Sequence, residues 1–227
     1  MCSMRTGSMS TVRLVSASSQ KMLDDIAFTA RVSNPTNQNN TKTSEKLVRY
    51  LIKHGHWSPF EMVSATLEIE TTSDIARQML RHRSFSFQEF SQRYAEVDGL
   101  GTPVFREARG QDLKNRQNSV RLPDGPLHAE WLVKQRNAWE AAKVAYDWAL
   151  KQGIAKEQAR AVLPEGITPS RLYMSGTLRS WIHFVQLRSG NGTQLEHQRV
   201  AVECAEALSG VFPMITEFVD GAYNPDV

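Results

Sequence analysis

Val63, Ala65, Leu67 and Ile69 alternate with polar neighbours, the clearest strand in the chain. A strand with one apolar face needs a covering layer. Four residues on, Ser73 or Asp74 can cap a helix reaching about His82, whose Ile75, Ala76, Met79 and Leu80 face inward.

The remaining elements are mostly helical. Thr11 to Ser18 alternates as a further strand and Arg171 to Ser175 reads as a short one. Helices are expected over Lys21 to Val32, from a Ser44 cap to about His54 with Leu47, Leu51 and Ile52 inward, and over Leu127 to Leu150. In the last, Trp131, Ala138, Ala142, Ala145 and Ala149 recur at helical spacing. Others run from Ile154 to Leu163, ended by Pro164, from Thr177 to Leu187, and from Leu195 through Val202, Ala205 and Leu208. Ser58 and Pro59 resemble an N-cap and N1 pair. Residues 1–10 read as a flexible tail, and Asn34 to Thr43 and Asp98 to Pro126 as loops. The pattern is helix-rich with few strands: an α+β chain, with residues 11–227 as one domain.

With 41% hydrophobic and 22% charged residues in 227, an extended disordered chain is excluded. No apolar run is long enough to span a bilayer, and Met1 to Thr11 carries no secretory pattern. Cys2 and Cys204 cannot build a disulfide framework, so the expected location is cytoplasmic, with Cys204 a buried structural thiol. The dinucleotide fingerprint, the Walker A loop, H-E-x-x-H and G-x-S-x-G are missing. A net charge of +3 is too small to argue for nucleic acid alone. Its make-up is less ordinary: 18 Arg stand against 9 Lys, and between His54 and Leu113 there are six Arg and no Lys. Codon usage is one explanation. A site for anionic ligands, which suits the planar guanidinium fork, is the other.

The excess peaks at Arg77-Gln78-Met79-Leu80-Arg81-His82-Arg83, followed by Ser84 to Tyr94. A helix dipole accounts for one or two cations in a last turn, but not for three in succession, nor for Arg93. A single-stranded nucleic-acid surface would use Phe85, Phe87, Phe90 and Tyr94, although Glu89 sits among them. Arg81-His82-Arg83, seven residues, then Ser91 resembles the R-H-R-x7-S signature of the flavin-dependent thymidylate synthases, the thymidylate synthase complementing protein family. Gln92-Arg93-Tyr94, His54-Gly55-His56 with Ser58-Pro59-Phe60-Glu61, Ala30 to Ser33, Ala159 to Pro164 and Leu178 to Arg188 resemble further family blocks, in the expected order.

The resemblance implies a small, mainly antiparallel sheet in a helix-rich domain and the reductive methylation of dUMP to dTMP. It implies 5,10-methylenetetrahydrofolate as carbon donor, FAD as hydride carrier, NADPH as reductant and a homotetramer with shared active sites. It assigns FAD to Ser58, Arg81, His82, Arg83, Glu89, Thr177, Arg179 and His183. It assigns dUMP to Gln78, Arg81, Glu89, Phe90, Ser91, Gln92, Arg93, Arg160 and Arg188, the last as catalytic residue. Arg31 is a weaker ligand position, and His56 would stack on folate or nicotinamide. Ser91 reads as a phosphate ligand rather than a nucleophile, having no dedicated base in the sequence. His54, His56 and His82 offer an alternative metal site, but no acidic or cysteine ligand completes it, so no metal is expected. At Thr177 many family members carry Asn, and Gly190 to Thr193 replaces a stretch that often contains His and Ala.

Overall fold

The alternating segment becomes an inner strand of a four-stranded sheet in the computed structural model, which describes residues 10–221. The strands are β1 (Thr11–Ala17), β2 (Ser64–Thr72), β3 (Ser86–Glu89), β4 (Arg109–Gln111), β5 (Ser119–Arg121) and β6 (Pro169–Thr177). The helices are α1 (Met22–Ala30), α2 (Ser44–Lys53), α3 (Ser73–Met79), α4 (Pro126–Lys151), α5 (Lys156–Ala159), α6 (Leu178–Arg188) and α7 (Leu195–Ser209). The sheet order is β1-β2-β6-β3, antiparallel throughout, and β4 and β5 pair separately as a hairpin. The chain is therefore α+β and helix-rich around a small antiparallel sheet, as the sequence implies.

Val63, Ala65, Leu67 and Ile69 are buried, and β2 sets Leu67 opposite Met174 and Ile69 opposite Leu172 on β6. This face packs on α1, α2, α6 and α7 through Met22, Ile26, Val48, Trp181, Phe184, Val200 and Leu208. The other face is polar. Arg13 donates to Glu68 at 2.6 and 2.9 Å, Tyr173 donates to Glu68 at 2.6 Å, and Arg171 pairs with Glu70. Those two donors hold the Glu68 carboxyl down to about 2.

Several expectations are corrected. Ser44 is the first helical residue of α2, not its cap: Thr43 holds the cap position and Ser44 Oγ is buried without a partner. Ser58, likewise, opens a 3₁₀ turn, and Trp57 precedes it as cap. α3 starts after Thr72 and ends at Met79 rather than His82. The expected helix from Ile154 shortens to α5 and a 3₁₀ turn over Arg160–Val162. The loop from Asp98 contains the β4–β5 hairpin. In α4 the recurring Trp131, Ala138 and Ala145 stay exposed. The buried positions are Gln135, Tyr146 and Ala149, because the helix packs on a small second cluster with Val97, Ala159 and Leu163.

Arg31 is a brace, not a ligand: it is buried and donates to the Asn40 carbonyl and, at 2.9 Å, to Thr43 Oγ1, closing the Asn-rich loop. Cys204 is fully buried, and burial pushes its thiol up, as expected of a structural cysteine. Of the expected tail, residues 1–9, with Cys2, lie outside the described residues, while Ser10 is buried and donates to Glu203 at 2.8 Å.

Candidate active site

β2 and β6 both run into helices without a loop, β2 into α3 at Thr72 and Ser73, β6 into α6 at Thr177 and Leu178. Thr177 caps α6, its hydroxyl accepting from the Ser180 N–H at 3.3 Å. The strands are antiparallel, yet the chain just past α3 meets the far end of α6: Arg188 Nε donates to His82 Nε2 at 2.8 Å.

Because α3 stops at Met79, Arg81-His82-Arg83 occupies the turn leading to β3, where successive side chains alternate out, in, out. His82 is 8% exposed, with its ring 5.1 Å from Phe184 and 6.3 Å from Phe85. Phe85 in turn lies over Gly176, where a Cβ would come within 2.5 Å of the ring. Burial, then the charges of Arg188 and His183, lower the imidazole to about 4, so His82 is neutral and accepts. Burial and the nearby Arg81 also lower Arg188. Among the described residues, Arg81, Arg83, Arg160 and Arg188 have no carboxylate partner. By contrast Arg13, Arg49, Arg106, Arg109 and Arg171 are all paired with acids. Arg81 and Arg188 lie close enough to repel, and two neighbouring guanidiniums without an acid suit an anion from outside.

Glu89, Phe90, Ser91, Gln92 and Arg160 converge on a cleft of about 190 Å³ with Ser73 and Arg77. Glu89 is held there by Ser170 Oγ at 2.9 Å. Ser91 O accepts from the Tyr94 and Ala95 N–H groups at 3.0 and 3.1 Å, and the turn leaves the N–H groups of Ser91, Gln92 and Arg93 without partners among the described residues. Ser91 and Gln92 line this cleft with Arg160, so unpaired N–H groups there can serve an anion. Arg93 is exposed and leans on Glu157 at 3.4 Å.

A second cleft, about 510 Å³, is lined by Trp57, Glu61, Ser84, Arg179, Ser180, Ile182, His183 and Gln186. Arg179 pairs with Glu61 at 2.5 Å, and His183 is exposed. Ser58 adjoins this cleft, directly after Trp57. His56 is exposed and grouped with Tyr50 and His54, 6.2 Å from each ring. Among the described residues no three His, Cys, Asp or Glu side chains gather to hold a metal ion.

Sequence reasoning missed Arg77, Trp57 and a polar group behind Arg188. There His197 is fully buried, with Nδ1 3.3 Å from Gln78 Oε1, and burial, Arg188 and His82 lower it to about 3. Arg77 had a signal, standing next to Gln78, whereas a histidine on an apolar helix face looks like core.

The two buried imidazoles make stability pH-dependent with a definite sign. Both are lowered below 6.5 in the fold, so the unfolded chain binds the protons. Stability should be full above pH 6.5 and fall towards pH 4, with a limiting slope of about two protons. Urea midpoints at pH 7.0 and 5.0 measure it, and His197→Phe should flatten the slope. Equal midpoints for the wild type would remove this assignment.

Residues 13–214 match the thymidylate synthase complementing protein family. The chain is 50% identical over 195 residues, 86% of its length and 89% of the relative's, to a probable flavin-dependent thymidylate synthase of Paramecium bursaria Chlorella virus 1. It is 47% identical over 190 residues, 84% and 86% of the two chains, to the flavin-dependent thymidylate synthase of a Synechocystis strain. Among solved structures it resembles the UMP/dUMP methylase PolB of Streptomyces cacaoi bound with 5-Br dUMP, with a TM-score of 0.79, 30% identity, and coverage of 93% and 95%. Agreement over nearly the whole domain, with the arginine turn inside the matched span, means that the chain belongs to the flavin-dependent thymidylate synthases.

Proposed function

We propose that the chain, as one domain over residues 11–227, makes dTMP by reductive methylation of dUMP, with 5,10-methylenetetrahydrofolate as carbon donor and NADPH as reductant. The observation that carries this reading is the cleft in which Ser91 and Gln92, their N–H groups unused, meet the acid-free Arg160.

The residues present fit FAD. A pyrophosphate needs cations, and Arg81 and Arg83 are exposed and free of acids. A flat ring system needs an aromatic or apolar wall, and the larger cleft has Trp57 and Ile182 beside Ser84, Arg179 and His183. In our reading Ser58, Arg81, His82, Arg83, Glu89, Arg179 and His183 hold FAD, with Thr177 acting chiefly through its cap on α6. When bound, FAD carries hydride from NADPH to the pyrimidine ring.

The phosphate of dUMP takes the concavity: N–H groups and hydroxyl of Ser91, the turn through Gln92 and Arg93, and the charge of Arg160. Glu89, Phe90, Gln78 and Arg81 complete the pocket. Neutral His82 fixes Arg188 through Nε, which leaves both Nη groups to face the ring and stabilise negative charge developing on it. His56 stacks on folate or nicotinamide. The two clefts share no lining residue. That separation supports a homotetramer in which one subunit completes another's site, and exposed Leu127, Trp131, Val144 and Trp148 on α4 provide apolar area for contact. No helix of the described residues is long and apolar enough to cross a membrane.

Ser91→Ala should raise the KM for dUMP about tenfold, the worth of one charge-assisted hydrogen bond, and retain turnover at saturation. Complete loss of turnover with intact dUMP binding would make Ser91 the nucleophile instead. The whole reading is tested by absorbance. The purified protein should be yellow or take up FAD, bleach with NADPH, and form dTMP when dUMP and the folate are added. A colourless protein that takes up no FAD and rescues no thymidine auxotroph overturns it, and retarded single-stranded RNA at low salt would then point to the nucleic-acid alternative.

A further inference from the structure

Behind Arg188, two glutamines connect a buried carboxylate to a buried imidazole, and each link dictates the next. Glu196, in the first turn of α7, has a side chain only 4% exposed and pairs with Arg109 of the hairpin. Burial raises its carboxyl, but Arg109 and Arg106 outweigh burial and keep it low, so it is an acceptor at both oxygens. The amide group 2.9 Å from Glu196 Oε2 must therefore be the NH₂ of Gln194. That turns Gln194 Oε1 towards Gln78, whose atom 2.8 Å away must in turn be its NH₂. Gln78 Oε1 then faces His197 Nδ1 at 3.3 Å and can only accept, so Nδ1 carries the proton. His197 Nε2 is left as a bare lone pair, buried and without a partner among the described residues. A carboxylate thus sets the polarity of two amides and the tautomer of an imidazole in succession.

A glutamine free to rotate its amide can match either polarity at a pyrimidine edge. Uracil presents a carbonyl beside an N3–H, whereas cytosine presents an amino group beside a bare N3. Gln78 has one N–H and one lone pair left over, at ends it cannot exchange. We propose that Arg109, Glu196 and Gln194 are positioning residues that lock the Gln78 amide, so that the site accepts uracil and rejects cytosine. This rests on the reading that Gln78 and Arg188 face the pyrimidine of dUMP. It gives the β4–β5 hairpin a task, since Arg109 lies on it and Asn118, at the start of the β5 side, bonds Asn191 and, at 3.0 Å, the Gly192 N–H just before the chain begins.

The test uses the flavin-loaded full-length protein, with dUMP and dCMP as competing ligands. Gln194→Met cuts the chain and leaves the Arg109–Glu196 pair in place, so the fold is kept even where Glu196→Gln fails to fold. In Gln194→Met the preference for dUMP over dCMP in Kd should fall on the order of tenfold or more, with FAD still bound. A merely structural link would weaken both nucleotides alike, and an unchanged ratio overturns the proposal. Histidine-labelled nitrogen-15 spectra give a second readout: His197 should be protonated at Nδ1 alone in the wild type and lose that purity in Gln194→Met. A wild-type Nε2–H tautomer overturns the lock. A wild type that binds neither nucleotide overturns the functional reading and the proposal with it, while the tautomer still reports whether the chain of bonds exists.

Discussion

Arg188→Ala is expected to lower kcat about 10²–10³-fold, the usual consequence of removing one preorganised charge from a reacting centre. The flavin should stay bound, because Arg188 is not among the residues assigned to it. The effect should fall on kcat more than on KM, as a contact that strengthens only when charge develops demands. Lys should restore little. It keeps the charge but has no Nε positioned to donate to His82, and that bond at 2.8 Å is what aims the guanidinium. Steady-state dTMP formation with bound-flavin absorbance checks both halves. Wild-type turnover in Arg188→Ala removes the residue from the reaction.

The largest stability effect is expected at Trp181. It is fully buried, donates its indole N–H to the Ala65 carbonyl at 3.1 Å, and packs against Phe85 at 4.7 Å and Phe184 at 5.9 Å. Trp181→Ala should cost about 3–5 kcal/mol through the cavity, out of a typical 5–15 kcal/mol for a domain. The loss should extend to cofactor binding, since Phe85 shares its ring contacts with His82 and holds the arginine turn against the sheet. Urea unfolding followed by circular dichroism reads the cost, with Trp181→Phe as the milder control. A midpoint change worth under 1 kcal/mol would show that the cavity collapses, contrary to expectation.

The strands β1, β2 and β6 and the helices α1, α2, α6 and α7 are legible in the sequence because each buries one regular face, and burial of a face is periodic. The hairpin is not. Arg109-Gly110-Gln111 and Ser119-Val120-Arg121 have no apolar alternation, and their stability comes from Glu196, Asn191 and Gly192, some 70 to 90 residues away. In α4 periodic apolar residues mislead because Trp131 and Trp148 face outward. The arginine turn and Ser91 were readable as a motif. The group formed by Gln78, Gln194, Glu196 and His197 was not, since Gln78 stands 116 residues from Gln194 and 119 from His197 and no local pattern joins them. Arg31 shows the converse error: a guanidinium within a familiar block, spent on two loop oxygens.

The absence of any linker where β2 enters α3 and β6 enters α6 bears on how such a chain can change through time. A helix turns about 100° per residue, so one residue inserted at either junction would swing Gln78 or Arg188 off its target. Insertions and deletions should therefore be lethal at Thr72–Ser73 and at Thr177–Leu178, yet survive in the stretch between β5 and α4, where Leu122 to Gly125 carries no site residue. Length variation among descendants of this chain would then collect at the hairpin's far side, while the two strand-to-helix corners keep their count.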